Sequence, residues 1–137
     1  MPLSDILSCP EEQLAELITL EEPYSRGSWF MAKGISSIEL SMFGEISGVD
    51  NYDSLPEQFS LIGEPLPDGP WPQKIPESLI QTIMNLTESE ISRACKPWSE
   101  IEELSGYCKP TDLEDYLRRL KKFTQENSSP LFLVDNL

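Results

Sequence analysis

The side chains of this chain that could do chemistry are carboxylates and thiols. Glu100, Glu102 and Glu103 lie close together, and two such acids can act as proton donor and acceptor when their surroundings split their pKa values. With 24 Asp and Glu in 137 residues, however, clusters of this kind arise from composition alone. Cys95 has Arg93 and Lys96 beside it, which favour a thiolate. It also stands four residues from Ile91 on an apolar helix face, so a buried core thiol is the expectation. Cys108 follows Gly106 and Tyr107 in a predicted loop, with no base accompanying it. Histidine is absent. That excludes Ser-His-Asp and Cys-His catalysis and His-ligated metal, and three cysteines cannot make a four-cysteine cluster. Gly63 and Gly69 lie among prolines, outside the strand-to-helix setting of a phosphate loop, and no calcium-loop spacing occurs. The expectation is no catalytic residue, no metal and no cofactor.

Binding chemistry is better represented. The segment Gly63-Glu64-Pro65-Leu66-Pro67-Asp68-Gly69-Pro70-Trp71-Pro72 sets a large aromatic among prolines, which lower the entropy lost when a loop is ordered. Trp71 reads either as an interface anchor or as the plug of a lid over the core. Trp98, next to Pro97, poses the same choice. Pro65, Asp68, Trp71 and Trp98 are the expected partner-binding residues, while Trp29 reads as core. The basic stretch 118–122, with Tyr116 and Phe123, has the look of a phosphate contact. Within a helix it is better explained as complementing the negative end of the dipole.

Charge narrows the partners. Ten Lys and Arg against 24 acids give −14. Residues 1–70 hold 13 acids against Arg26 and Lys33, a net of −11, whereas residues 71–137 carry only −3. Such a field repels phosphate backbones and anionic lipid, so neither nucleic acid nor a membrane surface is an expected partner. It attracts basic proteins, and it also keeps a protein soluble. No apolar run spans a bilayer. The N-terminal residues lack the basic start and apolar core of an export signal, which implies a cytoplasmic protein with reduced thiols.

Elements able to position these residues are legible at several points. Ser8 or Cys9, Pro10, Glu11 and Glu12 signal a first helix with Leu14, Leu17 and Ile18 inward, closed by Glu21-Glu22-Pro23. Trp29-Phe30-Met31-Ala32 reads as a short buried strand or as the lead-in to a helix. Ile35, Ile38, Met42, Phe43 and Ile46 then recur at helical spacing up to Gly48. Residues 49–76 carry too many prolines for a regular helix and too many apolar residues for a linker, which predicts an ordered loop laid over the core. Pro76 and Glu77 open a helix with Leu79, Ile80, Ile83 and Met84 inward. Thr87 with Glu90 forms a capping box for a short helix ended by Pro97, and Thr111 with Glu114 forms another. The helix after Thr111 buries Leu113, Tyr116, Leu117, Leu120 and Phe123, and the run 131–134 is a terminal strand. The sum is one α+β domain over residues 1–137, mostly helical, with a few short strands and a Pro-rich ordered loop.

The stretch from Gln58 onward resembles a group of small bacterial proteins related to the YfbM-like domains of unknown function. The likeness runs through Gln58-Phe59, Leu61-Ile62-Gly63-Glu64-Pro65, Gly69-Pro70-Trp71, Ile75-Pro76-Glu77, Leu86, Thr87, Glu90, Trp98 and Glu102-Glu103-Leu104. The long helix over 113–123 and the apolar C-terminal strand complete it. The resemblance implies a compact α+β domain in a bacterial cytosol and carries no functional residue.

Three functions compete. A non-enzymatic binding module, of the inhibitor or immunity kind, that masks a basic protein fits the charge and the Trp71 segment best. An enzyme using carboxylate or thiol chemistry needs a pocket lined by Glu100, Glu102, Glu103 or Cys95. A structural subunit of a homo-oligomer would bury the Pro-rich face against its own copy.

Overall fold

The computed structural model describes residues 3–18, 27–31, 35–50, 54–62, 71–127 and 130–136. Five strands form one antiparallel sheet: β1 (Leu3–Ser8), β2 (Ser28–Met31), β3 (Ser60–Leu61), β4 (Trp71–Lys74) and β5 (Leu131–Asn136), in the order β2-β1-β5-β4-β3. Among the described residues six helices accompany them: α1 (Leu14–Ile18, after a 3-10 turn at Glu11–Gln13), α2 (Ser37–Ile46), α3 (Leu55–Gln58), α4 (Glu77–Met84), α5 (Glu88–Ser99) and α6 (Pro110–Glu126). The fold is α+β, with the strands short and the helices dominant.

The terminal strand lies at the centre of the sheet, with Leu131 to Asn136 laddered against β1 and Phe132 to Asp135 against β4. Cross-strand partners share a face, so the register sorts the core. Ile6, Phe30, Leu131 and Leu133 point toward α2, α4, α5 and α6 and join the main cluster. Leu7, Phe132 and Val134 point the other way and meet Leu14 and Leu17 of α1. Because β1 is covered on both faces, its polar residues Ser4, Asp5 and Ser8 are buried too. That is why LSDILS shows no apolar alternation, and why a strand precedes the expected first helix. Ser8 ends β1 and Pro10 stands before the 3-10 turn, so the helix proper begins at Leu14. The expected closure at Glu21-Glu22-Pro23 lies outside the described residues.

Residues 28–31 take the strand option, and Trp29 is half-buried against the α1 cluster. The predicted helix α2 forms, and Gly48 takes the left-handed φ of +79° after it. Its buried face differs from the expected stripe. Leu40, Phe43 and Gly44 are covered, together with Glu39 and Ser41, while Ile38 and Ile46 face outward. Gly44 explains the rotation: a Cβ there would stand 2.6 Å from Leu55 Cδ1, so α2 approaches α3 through its smallest residue. The polar members are satisfied locally. The Ser41 hydroxyl donates to the Ser37 carbonyl at 2.6 Å, and Glu39 accepts the Ser36 N–H at 3.1 Å in a capping box.

Within 49–76 the expectation of no regular helix is corrected: Pro56 opens the four-residue α3, because the first turn of a helix does not use the N–H that proline lacks. Two strands follow as well. Pro72 lies inside β4, and its carbonyl accepts from Ile62 N at 3.0 Å on the β3 side. The missing N–H faces that same side, which leaves the ladder to β5 intact. Residues 63–70 lie outside the described residues.

The C-terminal helices carry the bulk of the core. Thr87 and Glu90 cap α5 reciprocally at 3.0 and 3.2 Å, as the sequence predicts. Pro97 does not end α5, which continues to Ser99. A proline this late forfeits a single backbone bond, to the carbonyl of residue 93. The expected box at Thr111 is displaced by two residues. Pro110 starts α6, Lys109 N donates to Asp112 Oδ2 at 3.0 Å, and Glu114 instead accepts the Ser92 hydroxyl at 2.8 Å. Leu113, Tyr116, Leu117 and Leu120 are buried as expected.

Trp98 ties these layers together. It has 0 % exposure, stacks obliquely on Phe43 at 5.1 Å and meets Tyr116 edge-on at 6.1 Å. Its indole Nε1 donates to the Glu39 carbonyl at 2.9 Å, joining α5 to α2 across 59 residues. Trp98→Phe removes that bond and leaves a void where the indole was. It should lower stability by about 2–4 kcal/mol in urea melts with an unchanged m-value. A loss below about 1 kcal/mol would show that the bond does not organise the packing.

Candidate functional site

The residues expected to meet a partner fall in three different settings. Trp98 is core, which corrects its place among surface candidates: the burial and the Glu39 bond leave it no face for another molecule. Trp71 opens β4 opposite Asp135 and is half-buried. Pro65 and Asp68 lie outside the described residues.

The thiols are held in their neutral forms. Capped by Thr87, α5 presents Ile91, Ala94, Cys95 and Trp98 to the core, and Cys95 is fully buried. Burial pushes its thiol up to about 12, with Glu114 raising it further and Arg118 opposing. Burial also raises Cys9, aided by Glu12, and Cys108, aided by Asp112 and Glu39. Cys108 is half-buried against the main cluster. None of the three has the depressed pKa of a nucleophile.

Tyr116 packs edge-on against Phe30 at 5.4 Å, and its buried hydroxyl has no hydrogen-bond partner. Burial raises its pKa well above the ordinary phenol value. Glu100 and Glu102 are exposed after α5, and Glu103 is half-buried with Oε2 enclosed and unpartnered. Two open grooves occur on the helical side. One, of about 150 Å³, is lined by Ile46, Ser47, Thr82, Leu86, Glu90, Arg93 and Ala94. The other, of about 220 Å³, lies between α4 and the end of α6 and includes Lys74, Glu77, Gln81 and Asn127. Neither contains Cys95, Glu100, Glu102 or Glu103. Among the described residues no group of three or more His, Cys, Asp or Glu is placed to hold a metal ion, and no helix is long and apolar enough to cross a membrane.

The basic stretch of α6 does not stand at the end of its own dipole, since no basic residue lies in the last turn. Arg118 Nε pairs with Glu88 at 2.9 Å, and Arg119 Nε pairs with Asp115 at 3.3 Å while lying over the Phe30 ring. Lys121 donates to the Leu86 carbonyl, and Lys122 lies 3.8 Å from Glu126. Arg118 thus bridges α6 to α5, Lys121 ties α6 to the connection between α4 and α5, and the Arg119 and Lys122 pairs lie within α6. The excess negative charge stays with residues 1–70. Sequence reasoning missed one surface feature, the outward row Ile38, Met42 and Ile46 on α2. The small residues Ser41 and Gly44 were the signal that the opposite side packs closely.

No family model, curated protein or solved structure matches the chain.

With Ellman's reagent at pH 8, the folded protein should release at most one thiol quickly, that of Cys108, and all three in denaturant. Fast native labelling of Cys95 would revive thiol chemistry. Alkaline pH offers a second check. The unfolded chain ionises its cysteines near 9.0, whereas folded Cys95 holds its proton to about 12. The native state therefore binds more protons in that window, and stability must fall as pH rises. The urea midpoint should drop between about pH 9 and 11, less steeply in Cys95→Ala. A flat profile would contradict the burial of the thiols.

Proposed function

We propose that this chain is a small non-enzymatic binding protein of the cytoplasm that masks a basic protein, in the manner of an inhibitor or immunity protein. The observation that carries the reading is the net of −11 over residues 1–70, where only Arg26 and Lys33 oppose 13 acids. The ion pairs of α5 and α6 support it. They engage the chain's main basic stretch internally and leave the other half to set the external field. Potentials of this kind speed encounter with cationic partners and repel polyanions. The raised thiol pKa values, the burial of Cys9 and Cys95 and the absence of histidine weigh against bond-making chemistry. A relationship to the YfbM-like group belongs to the same proposal and adds no activity to it.

The test is capture from a native-host lysate on the immobilised protein. At about 50 mM salt the retained protein should be basic, and about 0.5 M salt should release it. Glu11, Glu12 and Glu57 are exposed, so replacing all three by Gln should leave the fold intact and weaken low-salt binding roughly ten-fold. Retention of a neutral protein, or affinity indifferent to salt, would overturn the reading.

A further inference from the structure

We draw no further inference here: the strongest candidate, the groove of about 220 Å³ between α4 and the end of α6 that is rimmed by Lys74, Glu77, Gln81 and Asn127, is open to solvent, and nothing in the structure shows what covers it.

Discussion

Pairing of β5 between β1, at the opposite end of the sequence, and β4, near its middle, is the constraint on which the rest depends. β5 ladders against β1 on one side and β4 on the other, so the sheet has no centre until the C-terminus arrives. Its alternation then divides the apolar residues. Leu131 and Leu133 complete the floor under the helices, and Phe132 and Val134 complete the floor under α1. Closing so long a loop costs conformational entropy before the contacts compensate it, which makes this pairing a slow and cooperative step. Loss of the final residues would expose both faces at once.

The helical layer is joined to that sheet by groups with little freedom to be replaced. Trp98 fills the space between α2, α5 and α6, and its one polar atom is directed at a backbone carbonyl of α2. Tyr116 shares the cluster but leaves its hydroxyl unpaired. An indole whose N–H is satisfied tolerates complete burial, whereas a phenol without a partner carries a desolvation cost. The interior therefore encloses the Cys95 thiol and the Tyr116 phenol, and burial raises the pKa of each.

Sequence reasoning read those features whose determinants are local. The Thr87–Glu90 box, the buried stripes of α4 and α6 and the glycine after α2 depend on residues within a turn of each other. It misread features decided from a distance. β1 gave no local signal, because Ser4 and Asp5 break the apolar alternation and are buried only once the sheet and α1 enclose the strand. Ile38 and Ile46 look like core until Gly44 lets Leu55 approach the other side of α2. The Thr111 signal lost to Pro110 and Asp112, because proline fixes the first helical residue and an acid three places past Lys109 already satisfies the free N–H. Of the candidate site, the charge imbalance was legible in full. The exclusion of Trp98 was not, since a tryptophan beside a proline has the same local context in a core as on a surface.

The partition of charge connects fold to function. A protein with −14 could disperse its repulsion evenly, yet here the cations gather on α5 and α6, where several of them neutralise acids from the same two helices. Solubility alone requires no such segregation; net charge of either distribution would provide it. Concentrating bases on α5 and α6, and withholding them from the first half, lowers self-repulsion in the core-building layer and leaves the excess negative charge with residues 1–70. Gly44, by seating Leu55, thereby fixes which side of α2 is buried and leaves Ile38 and Ile46 outward.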